Sequence, residues 1–165
     1  MPTSLTTISN NVLLRPVPVP NDDWIIQRAL MILEGRMFQR GPKLQRPHDV
    51  RDFLRIKLVP EPNEVFSVIF LDTQHRVLAY ELLFRGTIDS ATVYPRVVLK
   101  RALDHQAAAV VLAHNHPSGI SDPSTADRHL TQQLKDLLGQ LDIRMLDHFI
   151  IGEGEPYSFA EHGLI

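Results

Sequence analysis

The stretch Val110 to Asp127, VVLAHNHPSGISDPSTAD, constrains the fold more than any other part of the chain. An apolar run from Ala107 to Ala113 has the length and composition of a buried strand. It ends in His114-Asn115-His116, turns through Pro117, Ser118 and Gly119, and resumes as a helix near Ser124. Residues i and i+2 share a strand face, so His114 and His116 point the same way. Asp127 falls in the first turn of the following helix, from which a carboxylate reaches back towards both imidazoles. Two nitrogens and one oxygen converging from a strand end and a helix start form a zinc site with an open fourth position.

A second explanation needs no metal. Ser124-Thr125-Ala126-Asp127 is also a helix start, with Ser124 as the cap and an acid at the third helical position. A bare His-x-His also fits a turn. Asp122 is the alternative carboxylate ligand, although its place before Pro123 marks it as a turn residue. Composition narrows the chemistry. The chain has no cysteine, which excludes disulfides and thiolate sites and leaves His and carboxylate to hold any transition metal. A net charge of -2 argues against a general binder of phosphate backbones.

At 165 residues and 44% hydrophobic, the sequence describes one globular domain able to bury a real core. Neither a leader pattern nor a membrane-length apolar run is evident, so a cytoplasmic protein is expected. Residues 1–20 read as an extended N-terminal arm, with Pro16, Pro18 and Pro20 alternating with valines. Residues 21–59 read as a helical segment packed on the core. Its first helix runs from Asn21 to Phe38 with Trp24, Ile25, Ala29, Ile32 and Leu33 inward. Gly41-Pro42 breaks the chain, and a second helix from Pro47 buries Val50, Phe53, Leu54 and Leu58.

Residues 60–165 carry the main domain. Val65 to Asp72 and Val77 to Phe84 form a hairpin, and Pro95 opens a helix with Val98, Leu99, Ala102 and Leu103 inward. The strand with the His-x-His follows. A helix over Thr125 to Leu141 then carries the stripe Leu130, Leu134, Leu137, Leu138 and Leu141. A strand over Met145 to Ile151 and a hook at Tyr157-Ser158-Phe159 complete the chain. This order predicts an α/β (α+β) domain, a mixed β-sheet flanked by helices on both sides. His48, His75, His105, His129 and His162 read as surface residues.

His114-Asn115-His116-Pro117-Ser118-Gly119, then Ser124-x-x-Asp127, then Leu146-Asp147-His148 resemble the RadC-like branch of the JAMM/MPN+ metalloprotease fold. The resemblance runs from about Glu64 to the C-terminus and implies a cytidine-deaminase-like layering. Residues 60–165 would then be the metallohydrolase domain. Longer members carry a helix-hairpin-helix region, and the chain resembles the short form without it. The usual Glu after Pro-Arg is replaced by Val97, which leaves the ligand set untouched.

The resemblance implies Zn2+ held by His114, His116 and Asp127, with activity as a zinc-dependent metallopeptidase or isopeptidase on a protein or peptide substrate. Glu64, an acid immediately before a strand, matches the family's general base, and Glu81 on the neighbouring strand is its rival. Ser124 matches the serine that donates to the tetrahedral oxyanion. Asp147 and His148 match the family's Leu-Asp-His, and two physical readings of them stand side by side: orienting a ligand imidazole through its other nitrogen, or a buried hydrogen-bonded pair with no metal role. Two other function classes remain open. One is a nucleic-acid-associated protein, after the family's DNA-repair label, and the other is a non-catalytic MPN-type interaction module.

Overall fold

The computed structural model describes residues 22–38, 47–86 and 92–165. The arm over 1–20, the capping Asn21, the Gly41-Pro42 break and Thr87 lie outside the described residues. Nine elements follow in chain order: α1 (Asp22–Phe38), α2 (Pro47–Leu58), β1 (Val65–Leu71), β2 (Val77–Arg85), α3 (Pro95–Asp104), β3 (Ala109–Asn115), α4 (Thr125–Gly139), β4 (Arg144–Ile151) and β5 (Tyr157–Ser158). They form the expected mixed sheet flanked by helices, with strand order β2-β1-β3-β4-β5. β3 runs parallel to β4, while β1 is antiparallel to both β2 and β3. Among the described residues no helix is long and apolar enough to cross a membrane.

The central strands show why the sequence reads as it does. All seven residues of β1 and all seven of β3 are buried, because both faces of the sheet are covered. A strand buried on both faces gives a near-continuous apolar run rather than an alternation. One face carries Val65, Ile69, Leu71, Val111 and Ala113 against Val50, Phe53, Leu54 and Leu58 of α2. The other carries Phe66, Val68, Phe70, Val110 and Leu112 against Val98 and Ala102 of α3 and Leu134 and Leu138 of α4. Phe53 meets Tyr80 edge-on at 5.0 Å, which ties α2 to the edge strand β2.

Several expected helix faces differ from those observed. Among the α1 side chains described, only Leu30 and Leu33 are buried, while Trp24 is 56% and Ile25 52% exposed, and Ile32 is also exposed. The helix is apolar around much of its circumference, so spacing alone cannot choose the face that packs. Leu103 points outward from the last turn of α3. Leu141 lies beyond the end of α4, in a turn where Asp142 takes a left-handed φ of 58°. His105 is also no simple surface residue, because its ring lies 4.7 Å from that of Phe70.

His105 joins Glu81 and Arg101 in a partly buried cluster. Arg101 Nε donates to Glu81 Oε2 at 2.7 Å, Arg101 Nη2 contacts Glu81 Oε1, and His105 Nε2 lies 2.7 Å from that same oxygen. The Arg101 hydrogen bond leads the effects that hold the Glu81 carboxyl down at about 2, with burial opposing and His105 adding to it. A carboxyl depressed on folding contributes stability above its unfolded pKa and loses it as pH falls through the folded value. Glu81→Gln is therefore expected to cost roughly 1–2 kcal/mol at pH 7, after allowing for solvent screening. In urea unfolding, the gap between wild type and variant should shrink below pH 4.5 and close near pH 2. A gap independent of pH would show that the ion pair contributes nothing.

Candidate metal centre

β3 delivers the two histidines. His114 is its penultimate residue, buried at 2% exposure and paired across the sheet with Phe66 of β1. The chain leaves the strand at His116, whose backbone N–H still donates to Ile151 O at 2.9 Å. The loop then folds tightly over the end of β4. A Cβ on Gly152 would lie 2.3 Å from Gly119 O, so only glycine permits this approach. His116 Nδ1 meets Ile120 O at 2.8 Å, and a carbonyl can only accept. That bond places the proton on Nδ1 and leaves His116 Nε2 with a free lone pair.

α4 delivers the carboxylate through its N-terminal cap. Ser124 Oγ accepts from Asp127 N at 3.1 Å and donates to Asp127 Oδ2 at 2.6 Å, while Ser124 N donates to Asp127 Oδ2 at 2.8 Å. This reciprocal pair is a capping box with aspartate as its acid. The two explanations of Ser124-x-x-Asp127 are therefore not exclusive, since the box that starts the helix also aims the carboxylate. His114 Nε2 lies 3.2 Å from Asp127 Oδ1, His116 Nε2 lies 3.4 Å from Asp127 Oδ2, and the two Nε2 atoms are 3.1 Å apart.

These spacings fit a metal. Ligands about 2.05 Å from a tetrahedral ion lie about 3.3 Å from one another. Two imidazole nitrogens at 3.1 Å beside a carboxylate also require a proton or a cation between them. The hydrogen bond to Asp127 raises the His116 pKa against the effect of burial, with the Ile120 carbonyl and the charges of Asp127 and Glu64 adding to it. Burial alone would raise the Asp127 carboxyl, but the His114 and His116 bonds outweigh it and hold the group far below the usual range. Among the described residues these three are the only group of three or more metal-ligating side chains. The exposed Asp122 is not in the group.

The remaining residues singled out from sequence separate. Glu64 immediately precedes β1, two residues before the Phe66 that pairs with His114, and its charge acts on His116. Its carboxylate makes no hydrogen bond or ion pair among the described residues. Glu81 instead lies on β2 opposite Val68, engaged by Arg101 and His105. Asp147 and His148 do different things. Asp147 bonds no imidazole. It accepts from Ser158 Oγ at 2.6 Å, His148 N at 2.7 Å and Ala160 N at 3.0 Å, and so fastens the C-terminal hook to β4. Burial nevertheless pushes its carboxyl up. His148, fully buried, reaches the site, with Nε2 2.8 Å from His114 Nδ1. Burial and the neighbouring His114 keep its pKa well below the ordinary histidine range.

Two residues at the site escaped the sequence reading. Asn115 points to the opposite face from the histidines and clamps the approach to β1. Its Nδ2 donates to Glu61 O at 3.2 Å and Asn63 O at 3.1 Å, and its Oδ1 accepts from Val65 N at 2.8 Å. Glu64 sits between two of these clamped residues. The available signal was an amide inside a strand buried on both faces, because such a group must find partners. Thr131 is the second, bonded to His148 Nδ1 at 2.7 Å. A cleft of about 260 Å³ bordered by Pro60, Asn115, His116, Gly119 and Glu153 adjoins the centre.

Comparison with known proteins agrees with this architecture. A family model described as the RadC-like JAB domain matches residues 44–164. A UPF0758 protein of Stutzerimonas stutzeri (strain A1501) is 60% identical over 125 residues, covering 76% of this chain and 56% of the relative. A UPF0758 protein of Ectopseudomonas mendocina (strain ymp) is 52% identical over 159 residues, covering 96% of this chain and 70% of the relative. The chain thus spans little more than half the length of relatives such as the first. The match takes in α2 as well as the whole sheet and the centre, and the chain belongs to the RadC-like JAB domain family.

Proposed function

We propose that the chain is a zinc-dependent hydrolase that cuts an amide bond in a peptide or isopeptide substrate. The observation that carries this reading is the convergence of His114 Nε2, His116 Nε2 and the Asp127 carboxylate within 3.1–3.4 Å. The cysteine-free donor set of two imidazoles and one carboxylate suits zinc and leaves a position open to substrate and water. Zinc held there would polarise a carbonyl and make hydroxide available near neutral pH.

The remaining work falls to the chain's own side chains. Glu64, whose carboxylate has no bond partner among the described residues and whose charge acts on His116, takes a proton from the attacking water and returns it to the leaving nitrogen. Ser124 Oγ is a rotatable donor now directed at Asp127 Oδ2, and turned towards substrate it supports the oxyanion. The cleft of about 260 Å³ beside His116 is a recess in which one substrate side chain would be held.

The test is turnover by the zinc-loaded chain on a panel of fluorogenic peptides and isopeptide-linked pairs. Cleavage should stop on chelation and return with added zinc. A chain carrying stoichiometric zinc that cleaves no member of the panel would overturn the amide-hydrolase reading.

A further inference from the structure

His114 can bind a metal through Nε2 only if its ring proton sits on Nδ1. Ligand histidines commonly secure this by donating Nδ1–H to a carboxylate or a carbonyl. Here the group facing His114 Nδ1 is another imidazole, His148 Nε2, at 2.8 Å. An imidazole can donate or accept, so this contact alone does not decide which way the bond runs.

The far side of His148 decides it. His148 Nδ1 lies 2.7 Å from Thr131 Oγ1, and Thr131 Oγ1 lies 2.6 Å from the backbone oxygen of Asp127. A carbonyl oxygen cannot donate, and a hydroxyl has one proton. Thr131 therefore donates to Asp127 O, one helical turn back, and must accept from His148 Nδ1–H. His148 then presents a bare Nε2, which accepts from His114 Nδ1–H. His148 is packed between the edge of Phe66 and the stacked ring of Phe159 with no solvent exposure. Water therefore cannot supply a proton that reverses the order.

We propose that Thr131 and His148 are positioning residues whose hydrogen bonds, anchored on the Asp127 carbonyl, fix His114 in its Nδ1–H tautomer and free Nε2 for the metal. The purpose assigned to this tautomer rests on the metal-site reading above. The arrangement also links two ligands. The chain of bonds that orients His114 ends on the backbone of Asp127, so one turn of α4 sets both the carboxylate and the imidazole facing it. The sequence trace is Asp127 and Thr131 at i and i+4 on one helix, with His148 on the strand parallel to β3.

The test compares wild type, Thr131→Val and Thr131→Ser. Long-range 1H–15N correlation spectra of the metal-free proteins report the His114 tautomer directly, and a chromophoric chelator competition reports zinc affinity. Wild type and Thr131→Ser should show His114 as Nδ1–H. Thr131→Val removes the acceptor of the His148 proton while keeping the shape, so it should give mixed His114 tautomers and zinc binding weaker by about 10–100-fold. An unchanged Nδ1–H signal in Thr131→Val would overturn the proposal, as would an Nε2–H signal in wild type. Wild type that binds no zinc would defeat the metal-site reading instead, and the spectra would still decide the tautomer. Matching melting curves for the serine and valine variants would exclude a general loss of structure.

Discussion

Asp127→Ala is expected to emerge from dialysis without zinc, while wild type and Glu64→Gln retain close to one equivalent. The carboxylate is the only anionic member of the centre, and it faces both imidazoles, at 3.2 Å and 3.4 Å. Two neutral imidazoles alone neither balance the charge of a dication nor complete three of its four positions. The affinity loss should exceed the roughly 10–100-fold that follows from removing an outer hydrogen-bond partner. The same substitution destroys the capping box, because Asp127 Oδ2 accepts from both the backbone and the side chain of Ser124. Loss of a cap costs about 0.5–2 kcal/mol, so the alanine variant should also melt a few degrees lower. Asp127→Asn separates the two roles. Its amide oxygen can still accept from Ser124 N, so the helix start should survive while zinc is lost. Elemental analysis together with thermal melting reads both effects. Undiminished zinc in both variants would remove Asp127 from the ligand set.

The parts of the fold legible in sequence were those where burial leaves one solution. β1 and β3 are covered on both faces and appear as unbroken apolar runs, so their position and kind could be read directly. α2 and α4 carry apolar residues on one side only, and Val50, Phe53, Leu54, Leu58, Leu134 and Leu138 are buried as their spacing requires. α1 was ambiguous because Trp24, Ile25, Met31 and Ile32 make it apolar on several sides, and the choice of Leu30 and Leu33 is made by α2. The convergence of His114, His116 and Asp127 could be anticipated because strand alternation and the cap fix directions locally. The division of labour between Asp147 and His148 could not. Adjacent strand residues face opposite sides, and only the tertiary structure shows that Ser158 waits on one side and His114 on the other. Asn115 and Thr131 were overlooked for the same reason, since each is defined by partners far away in the sequence.

Glu64→Gln is expected to lower kcat by about 10²–10⁴-fold at unchanged zinc occupancy, the range typical of losing a positioned general base. Glutamine keeps the shape and polarity of the side chain but cannot take a proton, so the ground-state structure should change little. Three observations favour Glu64 over Glu81 as the proposed base. It lies two residues before the Phe66 that pairs with His114, its charge acts on the His116 imidazole, and its carboxylate has no bond partner among the described residues. Glu81, by contrast, is held by Arg101 and His105 with its carboxyl down at about 2, which makes it a poor base near neutrality. The clamp from Asn115 gives a second way to reach Glu64. Asn115→Ala alters neither a proposed ligand nor the proposed base itself but releases the backbone at Glu61, Asn63 and Val65, on both sides of Glu64. It should therefore reduce kcat in the same direction as Glu64→Gln while leaving zinc bound. Combined with Glu64→Gln it should add almost nothing to the loss, because both changes remove the same function. Single-turnover rates on zinc-matched samples make the comparison. Wild-type kcat in Glu64→Gln would return the search for the base to other groups around His116. Additive losses in the double variant would mean that Asn115 acts on the fold rather than through Glu64.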